Sequence, residues 1–353
     1  MTAPAWLRDH AGRLFLAGAA AAGLLLLGGL VAPGPVLAGW LAGFLFWLGI
    51  ALGAHAVLAV HALTGGAWLA PLFPVLAPAV ATLPVFALLA LPLLLDAAAV
   101  WPWVADPAVM PRATVVRWYL NLPGFVLRGA VALAGWSVLG LLLVGSGARR
   151  PAVGAPALIF HAAAVTVLGL DWILSLEPPF RSTVFGATLG VTQLLAALSW
   201  AALLEPEPAG FRGKAGDLAR LIMAAALGAL YLGFAQFLVA WYGNLPDKAA
   251  WFLKREALPW ILLEGAAVAL TAILPVAALL PAVMQRSPRA LARIGAGVLA
   301  GVWLHLVWLV GPPFGPWAIG TAALGTIGIG GLWLGLAAGP FAARLTRDLP
   351  HGA

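Results

Sequence analysis

Ten stretches of this chain stay apolar for the ~20 residues that a helix needs to cross the hydrocarbon of a bilayer, and that pattern removes most folds from consideration. They cover about residues 13–32, 36–61, 72–95, 123–145, 153–175, 182–204, 217–242, 256–282, 290–310 and 316–338. No strand-like alternation competes with them, and no separate soluble domain fits in the gaps. Hydrophobic residues make up 63% and charged residues 9%, against about 25% charged in a typical soluble domain. The expected fold is therefore an all-α integral membrane protein with about ten transmembrane helices. The first run follows Arg8 and Arg13 and superficially resembles a signal peptide, but it is long enough to span and is read as the first helix. The third run carries Pro74, Pro78, Pro84 and Pro92 and is expected to kink.

In such a chain the net charge of +7 is not a nucleic-acid signature. It belongs in the loops and sets orientation. With ten spans, 12 of the 19 Lys and Arg residues fall on the side of both termini and 7 on the other. The bias favours cytoplasmic termini in a multi-pass protein of the bacterial inner membrane. The chain has no cysteine. That excludes Cys-ligated iron–sulfur clusters, zinc thiolate sites and covalent CxxCH haem on this chain.

One hairpin is unusually specific. In FAQFLVAWYGNLPDKAAWFLKR, Phe234 to Arg255, the apolar run ends in Trp241 and Tyr242, rings suited to a membrane–water boundary. Gly243, Asn244, Leu245 and Pro246 then stop the helix. Asp247, Lys248, Lys254 and Arg255 are read as wet.

Polar residues at membrane depth are costly and mark candidate sites. Asp96, Arg128, Asp171, Gln236, Glu264 and His305 fall near one face, and His55, His61 and His161 deeper or toward the other, with Gln193 near the middle. A carboxyl group in an apolar bundle favours its neutral form and can trade protons near neutral pH; a histidine can relay them. Asp171, Glu264 and His305 are the candidates for proton exchange, and His55 and His161 for a proton path. No metal site is expected. Each has a bland alternative. Asp96, Arg128 and Asp171 lie near helix ends, where an interfacial or salt-bridged role suffices, and His305 between Trp303 and Trp308 fits a packed core residue. Glu264 is the sharpest, with no Lys or Arg at i±3 or i±4. If its helix opens near Glu256, it lies about 12 Å along the axis, with Gln236 and His305 as candidate neighbours.

The hairpin resembles the signature of the F subunit of alternative complex III, a quinol-oxidising complex of bacterial respiratory chains. DWILSLEPPFRSTVFG, Asp171 to Gly186, resembles a second segment of that subunit, and the stretches Trp118 to Gly129 and Gly39 to Trp68 resemble two more. The resemblance implies the NrfD/polysulfide-reductase superfamily of membrane subunits. It implies two four-helix bundles, residues 36–175 and 182–310, within a single membrane domain and flanked by the first and tenth helices. It also implies contact with a paralogous membrane subunit and with iron–sulfur and multihaem cytochrome subunits. Its ligand would be a quinone or quinol, menaquinone or ubiquinone, with Gln236 and Asp171 as the candidates for its head group, and no cofactor would be bound covalently. The sequence departs from the family after Thr64, Gly65 and Gly66, where Ala67 to Val80 carries no basic residue. Within that family the C-type paralogue is the better candidate for holding the quinol.

Two other functions fit the pattern. Ten helices in two repeats with Pro- and Gly-interrupted segments suit a secondary transporter. A bis-His haem b protein would use His55 and His161, which come out at similar depth.

Overall fold

The computed structural model describes residues 3–110, 112–145, 151–178, 180–204 and 215–345. Arg149, Arg150, Arg212, Lys214 and Arg347, which carry part of the basic bias, lie outside the described residues, as does Pro179.

The protein is an all-α integral membrane protein with about ten helices. Among the described residues, nine helices are long and apolar enough to span, and a bent pair supplies the tenth. The spans, in order, are α1 (Ala3–Gly28), α2 (Pro33–Thr64), the pair α3 (Phe73–Ala81) and α4 (Leu83–Leu89), α5 (Leu122–Gly145), α6 (Pro151–Leu168), α7 (Phe185–Leu204) and α8 (Ala215–Tyr242). A short helix, α9 (Pro246–Leu253), forms the hairpin. The rest are α10 (Trp260–Val268) continuing into α11 (Leu274–Leu279), then α12 (Pro288–Val310) and α13 (Trp317–Leu345).

Local chemistry sets the breaks. The third span bends by 42° at Thr82, where Pro84 starts a new helix and the Thr82 hydroxyl donates to the Pro78 carbonyl. Helix α2 stops at Gly65, whose φ of +68° suits glycine. Ser287 caps α12 by accepting from the Ala290 N–H, with Pro288 in the first turn. Two spans contain π-helical turns, Gly169–Ile173 after α6 and Ala269–Ile273 between α10 and α11. The proline pattern predicts the bend; the π turns have no counterpart in the sequence reading.

Helix α2 is the axis of the molecule. Its most apolar window is 89% buried, against 11% for α8. It packs on α3, α6, α7, α12 and α13. Glycines set the closest approaches. A side chain at Gly53 would meet the Gln193 carbonyl oxygen of α7, and one at Gly39 or Gly43 would meet the α13 backbone at Thr321 or Gly325. Gly18 lies on Gly331 and Ala22 on Gly328, so α1 and α13 run antiparallel and the described ends of the chain share one face. Helices α7, α8, α10, α11 and α12 pack around one another beside α2.

Candidate functional site

A cavity of about 610 Å³ lies among α7, α8, α9, α10 and α12. This is within the 300–1,000 Å³ range of small-molecule sites. Its walls are mostly apolar, with Gln236, Glu264 and His305 among the polar groups. Helix α8 packs on α11 and the second π turn at one end, and the cavity opens between α8 and α10 toward the hairpin. Phe234, Phe237 and Ile261 at this opening are exposed on the outer surface of the protein. An opening rimmed by apolar side chains of two membrane spans suits entry from the hydrocarbon.

Glycines bring the two reactive groups together. Gly301 lets α12 approach α10, since a Cβ there would lie 2.8 Å from the side chains of Leu270 and Thr271; Gly311 makes room in the same way for the Trp260 ring. Across this antiparallel contact, His305 Nδ1 lies 2.9 Å and 3.1 Å from the two Glu264 carboxylate oxygens. Both side chains keep about a quarter of their surface open, 23% and 26%, and both line the cavity. A carboxylate only accepts, so Nδ1 carries the donated proton, and Nε2 keeps a lone pair in the neutral imidazole. The sequence reading names His305 as a neighbour of Glu264, and the two are in contact. It places Glu264 too deep, however. The helix opens at Trp260, because Pro259 precedes it and Glu256 lies in the connecting turn. Glu264 is thus about 6 Å along the axis.

Gln236 reaches the same cavity but bonds elsewhere. Its side-chain amide donates to Thr188 Oγ1 at 2.8 Å and toward the Leu232 carbonyl at 3.5 Å. Thr188 and Thr192, one turn apart on α7, donate their hydroxyls to the Val184 and Thr188 carbonyls.

Arg255 corrects the sequence reading. It is 3% exposed, not wet. Its Nη2 donates to Glu177 Oε2 at 2.5 Å, its Nη1 to the Trp251 carbonyl at 3.0 Å, and its remaining N–H groups reach the Trp308 and Leu309 carbonyls at the end of α12. The guanidinium lies 3.5 Å from the Trp251 ring centroid. Burial pulls its pKa down, and the Glu177 charge opposes that shift. Lys254, 65% exposed, makes a second contact to Glu177 at 3.1 Å. Phe180 stacks on Trp251 with centroids 4.2 Å apart. The hairpin is thereby latched to the segment after α6 and roofs the cavity. Sequence reasoning missed Glu177 altogether; its only signal is a lone acid beside Pro178, inside a segment already singled out.

Asp171 is not in this cavity. It lies in the π turn after α6, fully buried, and accepts from Arg128 Nε at 2.6 Å. The Arg128 guanidinium sits 4.1 Å over the Tyr119 ring. The Tyr119 phenol lies near Asp171, and its pKa is pushed up to about 12, by burial first and the Asp171 charge second. Ser175 donates to the Asp171 carbonyl and accepts from Trp103 Nε1. Asp171 Oδ1 and Arg128 Nη2 are buried without a partner. The structure thus separates Asp171 from Gln236, and the two do not share one head-group site. The salt-bridged alternative describes Asp171 and Arg128.

His55 and His161 do meet, with ring centroids 5.7 Å apart, where α2 crosses α6. Both are buried, and both His55 nitrogens and His161 Nδ1 lack a partner. A side chain at Gly154 would touch Ala62, and one at Gly140 would touch Val80 beside the His55 ring. Gln193, at the Gly53 crossing, is buried with its carbonyl oxygen unpartnered. His61 instead bonds the Gly66 carbonyl at 2.8 Å and packs on Trp68. Asp96 is exposed and caps a short helix through the Ala99 N–H. These two serve local structure.

No protein-family model matches the chain, and no curated protein is similar enough to count as a relative.

Proposed function

We propose that this chain is a membrane subunit of a respiratory quinol:acceptor oxidoreductase complex, similar to the F subunit of alternative complex III. The observation that carries the reading is the cavity open to lipid, with the Glu264–His305 pair on its wall. A quinol is membrane-borne, so its site needs an entrance from the hydrocarbon rather than from water. Its oxidation releases two protons and two electrons. The protons need a base beside the head group, and His305 backed by Glu264 is one. The electrons pass to iron–sulfur or haem groups on partner subunits, since this chain supplies no cysteine ligand. The resemblance of the hairpin and of the Asp171 to Gly186 segment supports the same reading, together with a paralogous membrane partner. It also supports an inner-membrane location with cytoplasmic termini. In the other bundle, Asp171, His161 and His55 form a second series of buried polar groups suited to proton passage.

Affinity purification of the tagged chain from its native membranes tests the assignment. The expected result is co-elution with iron–sulfur and multihaem subunits and with quinol oxidation. A chain that elutes alone, from membranes whose quinol oxidation survives its deletion, overturns it. A secondary transporter is the competing reading; the sideways opening favours a ligand carried in the bilayer over an aqueous solute.

A further inference from the structure

We infer that the cavity distinguishes the two redox forms of its ligand and holds the dihydroxy form of a prenylated quinone. The inference rests on the proposed function for the ligand class; the redox form and the atoms that read it come from the hydrogen-bond inventory of the walls.

On the helices that line the cavity at membrane depth, most donors are spent. The hydroxyls of Thr188, Thr192 and Thr271 donate to backbone carbonyls one turn back on their own helices. The Gln236 amide N–H groups go to Thr188 and Leu232. His305 Nδ1–H goes to Glu264. What these residues keep is acceptor capacity: the Gln236 side-chain amide oxygen on α8, the free lone pairs of the Glu264 carboxylate on α10 and, in the neutral imidazole, His305 Nε2 on α12. The indoles of Trp251 and Trp308 are further N–H groups in the lining, at the hairpin end beside Arg255. Acceptors thus come from three separate helices of the lining.

A hydroquinone carries two O–H donors and satisfies such a site. The corresponding quinone carries only acceptors and leaves the same atoms facing carbonyl oxygens. Losing a complementary hydrogen bond in an apolar surrounding is what separates near-identical ligands. Once the hydroxyls are gone the site no longer favours the head group, so the oxidised form leaves by the same opening. The apolar wall past the polar groups, from Leu195 and Leu230 to Ile273, suits the first units of the tail.

The test is binding, without turnover. The full chain is placed in phosphatidylglycerol nanodiscs under anaerobic conditions. Equilibrium binding is measured for a tritiated decyl-benzoquinol, for its quinone, and for decylamine. The expected result is about 10-fold tighter binding of the reduced form, the size of one net hydrogen bond. Gln236→Leu should shrink that ratio while leaving quinone affinity unchanged; if that variant does not accumulate, Gln236→Met serves. Equal affinity for the two redox forms overturns the inference. So does a preference that survives at Gln236, or decylamine binding tighter than the quinol, which would mark a cation site. A reduced-form preference in a chain that never joins a quinol-oxidising complex would leave the inference standing and sink the proposed function. Turnover without the preference would do the reverse.

Discussion

At the scale of single residues, two ion pairs around the cavity have different work to do. Glu264 and His305 are open to the ligand space, whereas Arg255, which also borders the cavity, is 3% exposed and spends its N–H groups on Glu177 and on backbone carbonyls. Glu264→Gln keeps shape and hydrogen bonding but cannot exchange a proton. If the pair accepts the substrate's proton, the assembled variant should lose about 10²-fold in quinol oxidation, the lower end of a general-base contribution. Turnover unchanged between about pH 6 and 8 would leave Glu264 as a hydrogen bond between helices and nothing more. For Glu177 the readout is stability. Glu177→Gln strands a buried guanidinium, a loss of about 3–5 kcal/mol for one half of a buried pair. Lys254→Met removes only an exposed contact, worth about 0–1 kcal/mol. Thermal unfolding in detergent should separate the two variants clearly; equal melting temperatures would show that Arg255 is held by its carbonyl partners alone. For Glu264 the neighbour His305 was legible from depth in the membrane, but the partner of Glu177 was not. Glu177 and Arg255 lie 78 residues apart, and only the packing of three spans brings them together.

At the scale of elements, the spans were legible because length and apolarity are local properties, and the bend at Thr82 because proline acts on its own turn. Helix ends were less so. Glu256 and Arg255 look like the start of a span, yet the connecting turn holds them and the helix waits for Trp260. The π turns were illegible for a physical reason: the extra residue answers to tertiary packing, and no residue type demands it. Both turns matter to the sites, since one carries Asp171 and the other Thr271. The glycines of α2 can be tested directly. At Gly53 a Cβ would fall 1.9 Å from the Gln193 carbonyl oxygen, so Gly53→Ala must push α7 away from α2. The expected cost is about 1–3 kcal/mol. Gly23→Ala in α1, with nothing within 4 Å of the new methyl, should be neutral or stabilise by up to about 1 kcal/mol. A Gly53 variant that melts with the wild type would mean that the two helices are free to slide.

At the scale of the whole molecule, the described ends of the chain share a face while the hairpin occupies the other. This follows from the antiparallel contact of α1 with α13 and from the alternation of spans between them. Which face is cytoplasmic rests on charge. The loop between α11 and α12 carries Arg286, with Arg289 in the first turn of α12, and basic segments are retained on the cytoplasmic side. Orientation decides the direction of any proton the cavity releases, because Glu264 lies only about 6 Å below the hairpin end of its helix. With the hairpin in the periplasm, protons from the Glu264–His305 pair have a short way to the outer aqueous phase past Glu256, which lines the cavity and is exposed. The other orientation returns them to the cytoplasm and forgoes any contribution to the proton gradient. The absence of native cysteine makes the test clean. Ala250 in α9 and Arg286 after α11 are both exposed and lie on opposite faces. In intact cells with a permeable outer layer, a membrane-impermeant maleimide should label Ala250→Cys at once. It should label Arg286→Cys only after the inner membrane is opened. The reverse pattern would put the hairpin in the cytoplasm, and the cavity would then exchange its protons with the wrong compartment for an energy-conserving role.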